Sequence, residues 1–102
     1  MAKQYQYTKT KEVFSKEKEL PKLPGVYKFY DEKNNILYIG KAKSLSNRLK
    51  SYLSSSNDRK KSELIDKIKF LEIFITKTES DALLLEQNLI RKLKPPFNVQ
   101  FR

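Results

Sequence analysis

Residues 25–40 read GVYKFYDEKNNILYIG and predict the centre of the fold, an antiparallel β-hairpin. Its two arms, residues 25–31 and 36–40, are rich in β-branched and aromatic residues, which favour strands. Between the arms, Asn34 and Asn35 can adopt the positive φ angles of a tight turn. Because side chains alternate along a strand, an even-numbered turn points Tyr27 and Tyr38 to one face, whereas an odd turn without a bulge separates them.

The rest of the chain predicts helices around this hairpin and one further strand. Apolar spacing, the capping residues Ser44 and Thr78 and the helix-ending prolines 95 and 96 predict helices at about 10–20, 45–53, 60–69 and 79–94. Residues 71–77 are apolar enough to form a strand inside the sheet, and residues 1–9 are expected to fray. The expected fold is α+β, a small, mainly antiparallel three-stranded sheet flanked by helices. We expect an N-terminal extension over residues 1–19 and one domain over residues 20–102.

The composition narrows the chemistry that the chain can perform. Its 102 residues carry a net charge of +10 and include neither cysteine nor histidine. Disulfides, thiolate zinc sites, a cysteine nucleophile and a histidine general base are therefore excluded. No apolar run approaches the ~18 residues of a membrane span, and the N-terminus lacks a signal-peptide core, so we expect a cytoplasmic protein.

Basic residues are concentrated in one part of the chain. Residues 41–61 contain seven lysines and arginines and a single acid, Asp58. A general preference for lysine would spread these charges evenly, whereas a surface that tracks phosphates requires them to be close together. The distribution therefore favours a polyanionic partner such as DNA, RNA or anionic lipid.

Glu86 interrupts the apolar face of the last predicted helix. The other residues on that face are Ala82, Leu85, Leu89, Ile90 and Leu93. A carboxylate there is costly unless it is paired or holds a cation, so Glu86 is either half of a buried ion pair or a metal ligand. A single carboxylate suits Mg²⁺ or Mn²⁺ that keeps most of its waters, an arrangement common in phosphodiester hydrolysis.

Other polar residues allow a structural and a functional interpretation. Arg48 lies at the edge of the apolar face of its helix, where its stem covers core surface or its guanidinium binds a phosphate. Tyr27 and Tyr38 suit a half-buried sheet, and a phenol with a pKa of about 10 acts as a base at neutral pH only beside cations. Lys41 is either such a cation or a solvated lysine.

The two glycines and one asparagine also allow both a structural and a functional interpretation. Gly25 and Gly40, the only glycines, stand at strand ends, where they relieve backbone strain or let a substrate approach closely. Asn98 follows a Pro-Pro-Phe break and is either a turn residue or an amide that reaches into a site.

Together these residues resemble a known family. Gly25-Val26-Tyr27 followed by Tyr38-Ile39-Gly40 resembles the two-part signature of the GIY-YIG nuclease superfamily, with Val26 in place of isoleucine. The resemblance covers about residues 20–102 and is greatest to the N-terminal nuclease domains of the UvrC family of bacterial nucleotide excision repair. The stretches that carry it are LPGVY at 23–27, LYIGKAKSL at 37–45, TESDALLLE at 78–86, NLI at 88–90 and PPFNV at 95–99.

The resemblance implies a role for each of these residues. Glu86 matches the family's single metal-binding carboxylate, and Tyr38 matches the tyrosine that acts as general base toward the attacking water. Tyr27 matches the hydrogen-bonding partner of that tyrosine, and Arg48 the arginine that stabilises the phosphate under attack. The expected catalytic residues are thus Tyr27, Tyr38, Lys41, Arg48 and Glu86, and the expected substrate-binding residues are Lys41, Lys43, Arg48, Tyr52 and Asn98.

The resemblance also implies an activity and partners. We expect an endonuclease for double-stranded DNA that uses one divalent ion, Mg²⁺ or Mn²⁺, and hydrolyses phosphodiester bonds without a covalent intermediate. In the UvrC family this domain makes the incision 3′ to a lesion, with the UvrB–DNA complex as its partner. Two alternatives are a standalone structure-specific nuclease and a catalytically silent nucleic-acid-binding module. We further expect a monomer without membrane association. The sequence leaves open whether the chain is a fragment, although its end just after the Asn98 motif suggests a domain excised from a longer protein.

Overall fold

The hairpin lies at one side of a mixed helical and β-sheet domain. The computed structural model describes residues 3–8, 20–52 and 59–100. Its elements are, in chain order, β1 (Lys3–Thr8), β2 (Gly25–Tyr30), β3 (Ile36–Ala42), α1 (Leu45–Lys50), α2 (Arg59–Lys67), β4 (Phe70–Ile75), α3 (Glu79–Leu93) and α4 (Pro96–Gln100). The strands are arranged in the order β1-β4-β2-β3, and each neighbouring pair is antiparallel.

The antiparallel sheet of three predicted strands is confirmed, and β1 is added to it at the edge beside β4. The expectation that residues 1–9 fray is wrong for this segment, since Lys3 pairs with Ile75 and Thr8 with Phe70. The alternation of glutamine and tyrosine over residues 4–7 is the signal of a strand, but the absence of aliphatic residues obscures it. The helix predicted at about 10–20 lies, apart from Leu20, outside the described residues.

A β-bulge decides where the hairpin tyrosines point. Residues 31–35 connect β2 to β3, and Asn34 in this turn has a φ of 64°, as predicted, whereas Asn35 does not have the positive φ expected of it. An odd connection would separate the two tyrosines, but the pairing register shifts between Phe29 and Tyr30. Tyr38 is thereby paired with Phe29, so that Tyr27 and Tyr38 lie on the same face of the sheet.

Helices cover both faces of the sheet. On one face, leucines of α1 and α2 pack against aromatic and aliphatic strand residues, in a core that includes Leu45, Leu49, Leu64, Tyr27, Phe29, Leu71 and Ile73. On the other face, Ala82 of α3 packs against Val26 and Ile39, with half-buried Leu85, Leu89 and Ile90 around them. The predicted apolar face of α3 is thus confirmed except at its last residue, Leu93, which is 38% exposed.

Two helices begin where their capping residues predict, but α1 ends at Lys50, with Ser51 as its C-cap, and not at about residue 53 as predicted. The Ser44 hydroxyl accepts the Asn47 N–H at the start of α1, and the Thr78 hydroxyl accepts the Asp81 N–H at the start of α3. The predicted limits of α2 and β4 differ from the observed ones by one or two residues. Among the residues that the structure describes, no helix has the length and apolar character needed to cross a membrane.

Candidate active site

The face of the hairpin that is covered by α1 carries a cluster of three tyrosines. Tyr27 in β2 is fully buried, and its hydroxyl lies 2.8 Å from that of Tyr52, which follows α1. The ring centroids of Tyr27 and Tyr38 are 6.2 Å apart. Because buried hydroxyl groups are costly without hydrogen-bond partners, the cluster stabilises itself by bonding its hydroxyls to one another and to a neighbouring side chain.

That neighbouring side chain is Arg48 of α1. Its Nε donates a hydrogen bond of 3.2 Å to the Tyr27 hydroxyl, and its Cζ lies 5.6 Å from the centroid of the Tyr52 ring. These contacts orient the guanidinium through one nitrogen, which leaves the two terminal nitrogens to bind a ligand. Arg48 is exposed and lines an open cleft, so the structure favours the phosphate-binding interpretation over coverage of the core by its stem.

Tyr38 is half-buried at the edge of the same cluster. Burial and, after it, the nearby Tyr27 raise the pKa of Tyr38 to about 12, whereas Arg48 lowers it. Lys41 was a candidate for the cation that acts on this phenol, but the strongest cationic influence on the Tyr38 pKa comes from Arg48. A base role for Tyr38 at neutral pH therefore requires positive charge in addition to the side chains around it.

Glu86 lies half-buried on α3 and close to the end of β3. Burial raises the pKa of its carboxyl, while the Lys41 side chain, a hydrogen bond from the Lys41 backbone N–H and the Arg48 side chain lower it. Within the described part of the chain, Glu86 forms no ion pair with a lysine or arginine. The ion-pair interpretation of Glu86 therefore finds no support among these residues, and Lys41 acts on this carboxylate more than on Tyr38.

The groups around Glu86 fit a hydrated divalent ion. The described residues include no group of three or more histidines, cysteines, aspartates or glutamates that could hold a metal. Mg²⁺ and Mn²⁺ do not need such a cage, because they keep several waters and take further oxygen ligands from a substrate phosphate. A half-buried carboxylate that forms no ion pair with a described lysine or arginine, beside an open cleft, meets this requirement.

The cleft itself has a volume of about 920 Å³ and is lined by cations. The basic residues that line it are Lys22, Lys41, Lys43 and Arg48, and no acidic residue is among the described residues of its lining. The structure thus brings Lys41 and Lys43 together with Tyr27, Tyr38 and Arg48, whereas Glu86 is not among the lining residues, and the roles of these residues stay predictions. Lys22 was not predicted, because it lies in a turn between two prolines and belongs to no periodic pattern.

Asn98 binds the free edge of β3. Its Oδ1 accepts the Ile39 N–H at 2.9 Å, and its Nδ2 donates to the Ile39 carbonyl at 2.8 Å. Since β3 is an edge strand, the Asn98 amide supplies the bonds that a further strand would make. The two bonds to Ile39 favour a positioning role for Asn98, and its burial favours the same role for Tyr52. A contact of either residue with substrate stays a prediction.

The two glycines make room for the chain's own atoms. Neither has a positive φ, so relief of backbone strain does not explain them. A Cβ atom at Gly25 would overlap the Phe74 carbonyl oxygen and approach the Leu45 side chain to 2.7 Å, and one at Gly40 would overlap the Tyr27 ring. The close approach that the glycines allow is therefore internal to the protein.

Comparisons with known proteins agree with this geometry. The family model of the UvrC-like GIY-YIG domain matches residues 23–99. The chain is similar to UvrABC system protein C of Psychrobacter sp. (strain PRwf-1), with 50% identity over 86 residues, and to that of Saccharophagus degradans, with 48% identity over 86 residues. Each alignment covers 83% of this chain and 14% of the relative, so the chain spans a small part of the length of these relatives.

The fold is similar to crystal structures of the N-terminal GIY-YIG endonuclease domain of UvrC from Thermotoga maritima. The magnesium-bound domain has a TM-score of 0.75 and 38% identity, covering 84% of this chain and 94% of that domain. A tyrosine-to-phenylalanine mutant bound to its catalytic divalent cation has a TM-score of 0.77 and 36% identity, covering 87% of this chain and 93% of that domain. The chain belongs to the family of UvrC-like GIY-YIG domains.

Proposed function

We propose that this chain is a divalent-metal-dependent endonuclease domain that hydrolyses phosphodiester bonds of double-stranded DNA. The observation that carries the proposal is the half-buried Glu86 carboxylate, which has no basic partner among the described residues and lies beside a cationic cleft. The cleft attracts a phosphate backbone, and the carboxylate offers an oxygen ligand to a divalent ion. Membership in the family and the magnesium bound by the Thermotoga maritima domain support the same function.

Arg48 is the residue that we expect to hold the phosphate under attack. Its Nε is tied to the Tyr27 hydroxyl, and its guanidinium rests on the Tyr52 ring, so the side chain is oriented before DNA arrives. A donor that is fixed in advance stabilises the charge that develops in the transition state without first having to reorganise. Tyr27 and Tyr52, which are both buried, act through Arg48 as positioning residues.

Hydrolysis in this scheme takes one step. The oxygen of a water molecule forms a bond to phosphorus while the backbone P–O bond on the opposite side breaks, and the leaving oxygen takes up a proton. Tyr38 lines the cleft, and with further positive charge beside it, it would lose its own proton, so that its phenolate oxygen could accept one from the water, while the leaving oxygen takes its proton from solvent. A divalent ion, when bound, polarises the phosphoryl oxygen and offsets negative charge. The chain has no cysteine or histidine that could form a covalent intermediate instead.

Within a longer UvrC-like protein, we infer that this domain makes the incision 3′ to a DNA lesion, in the cytoplasm, on DNA presented by UvrB. The support for this inference is the family. The cleft itself does not support it, because its cations suit phosphates, and phosphates carry no information about sequence or damage. As an isolated domain we expect a monomer.

Nicking of supercoiled plasmid DNA in Mn²⁺ tests the proposal. The parent chain should nick the plasmid, and Glu86→Gln should abolish nicking while its affinity for DNA in EDTA stays within about twofold of the parent's, because a metal ligand contributes little to metal-free binding. Glu79→Gln, at the exposed start of α3, is the matched control and should nick normally. Equal loss of binding and nicking in Glu86→Gln contradicts the metal role. Salt-sensitive binding by a parent chain that never nicks favours the silent binding module.

A further inference from the structure

Lys22 lines the cleft, but neither the catalytic scheme nor the family resemblance gives it a role. It lies in the loop of residues 20–24 before β2, and its side chain is exposed. It forms no ion pair within the described part of the chain. We propose that Lys22 binds a backbone phosphate next to the one that is cut, and so extends the DNA-binding surface beyond the catalytic residues. This proposal rests on the proposed DNA endonuclease function.

The loop that carries Lys22 is held firmly to the rest of the domain. The carbonyls of Pro21 and Leu23, on either side of Lys22, accept the backbone N–H groups of Ser46 and Leu45 at 2.9 Å each. The Pro24 carbonyl accepts the Thr76 N–H at 2.9 Å. The backbone of Lys22 is thus fixed at the mouth of the cleft, so binding a phosphate there costs the side chain some freedom but does not require the loop to become ordered.

The start of α1 cannot bind the same phosphate with its backbone. A helix N-terminus is an anion site when its first N–H groups are free. Here those of Leu45 and Ser46 bind the loop, the Asn47 N–H binds the Ser44 hydroxyl and the Arg48 N–H binds the Ser44 carbonyl. A phosphate in this part of the cleft therefore has to be bound by side chains, and Lys22 is a cation on the loop that covers this helix end.

Lys22 also stands apart from the groups around the proposed metal ligand. Lys22 belongs to the loop that binds the first residues of α1, Leu45 and Ser46, whereas Arg48 lies further along α1 and is held by Tyr27. Both side chains line the same cleft. We therefore expect Lys22 to contact a phosphate next to the one that Arg48 holds.

The salt dependence of DNA binding by the whole 102-residue chain tests the role of Lys22. Affinity for a short fluorescein-labelled duplex is measured in EDTA, which prevents hydrolysis, over a range of potassium chloride concentrations. Lys22→Gln should reduce the slope of the logarithm of the binding constant against the logarithm of salt concentration by about 0.9, as expected for one lost phosphate contact, and should do so for duplexes of different sequence. Lys22→Arg should keep the slope of the parent chain.

Lys33→Gln is the matched control, because Lys33 is an exposed lysine in the turn at the other end of β2 and β3 and does not line the cleft. Its slope should equal that of the parent chain, and an equal drop in both variants would overturn a specific contact by Lys22. Normal binding by the parent chain with an unchanged slope in Lys22→Gln would overturn the role of Lys22 and leave the endonuclease proposal standing. No salt-dependent binding by the parent chain would overturn both.

Discussion

The aromatic ring of Tyr27 lies across Gly40, the residue with which it is paired in the β2–β3 hairpin. A Cβ atom at Gly40 would overlap Cζ and the hydroxyl of Tyr27 and lie 2.9 Å from its Cε1. The Tyr27 hydroxyl, which occupies this space, accepts a hydrogen bond from the Arg48 Nε and forms another with the Tyr52 hydroxyl. Glycine at position 40 therefore allows the packing that orients Arg48.

We predict that Gly40→Ala destabilises the domain by about 1–3 kcal/mol, as overpacking of a well-packed core does. The shift of the Tyr27 ring should also reduce nicking, because it displaces the anchor of Arg48. Urea unfolding and plasmid nicking measure the two effects. In a Tyr27→Val background the same substitution should cost less, since the ring that it meets is absent. An equal cost in both backgrounds would contradict the packing explanation.

Tyr27→Phe removes only the hydroxyl, so it separates hydrogen bonding from packing. It should lower stability by about 1–2 kcal/mol and reduce nicking at least about tenfold, because Arg48 and Tyr52 lose a shared buried partner. The control is Tyr30→Phe, on the same strand but the opposite face, where the hydroxyl donates to Glu72 at 2.9 Å. Tyr30→Phe should lose similar stability and keep nicking. Equal loss of nicking in both variants would mean that the Tyr27 hydroxyl contributes only to stability and does not orient Arg48.

Arg48→Lys keeps the charge at the cleft but not the planar group. A lysine has no Nε–H to donate to Tyr27 and cannot bind a phosphate through two parallel nitrogens. Nicking should fall about 10²-fold, the usual effect of removing one oriented donor from a transition state. Stability should change little, because the side chain is exposed. Arg91→Lys, on the exposed side of α3, is the control and should nick normally. Normal nicking by Arg48→Lys would show that a positive charge at position 48 is sufficient for catalysis.

Asn98→Ala should loosen the edge of β3. The Ile39 N–H and carbonyl lose their bonds to the amide, so we expect a loss of about 1–2 kcal/mol in stability and faster hydrogen exchange of the Ile39 amide. Amide exchange followed by NMR measures this directly. Asn88→Ala, at an exposed position of α3, should leave exchange at Ile39 unchanged. Unchanged exchange in Asn98→Ala would contradict the role of Asn98 in holding β3.

The order of helices and strands from residue 20 to the end of α3 could be predicted because it depends on local patterns, whereas α4 was not predicted. Ser44 and Thr78 cap their helices as expected, and Glu86 and Arg48 could be predicted as candidate site residues because they are polar residues on or beside apolar helix faces. The remaining features depend on partners that are distant in sequence. Gly40 is explained only by the ring of Tyr27, and Asn98 only by Ile39, 59 residues away.

Two further features could not be predicted for related reasons. The pairing of β1 with β4 joins residues that are 62 to 72 positions apart, and the sequence of β1 lacks the aliphatic residues that usually indicate a strand. Lys22 belongs to no helix or strand, so no periodic pattern could indicate where its side chain lies. Its place in the cleft follows from the hydrogen bonds between its loop and α1.

We propose that Glu86 is the protein ligand of a divalent ion that faces Tyr38 and Arg48. Crystals of the chain soaked in Mn²⁺ and measured for anomalous scattering test it most directly, with Glu86→Gln crystals as the comparison. We predict an anomalous peak at about 2.0–2.3 Å from the Glu86 carboxylate, with waters completing the coordination shell, and no peak in Glu86→Gln. A parent structure without a peak at Glu86, with its carboxylate paired to a lysine or arginine, would contradict the claim.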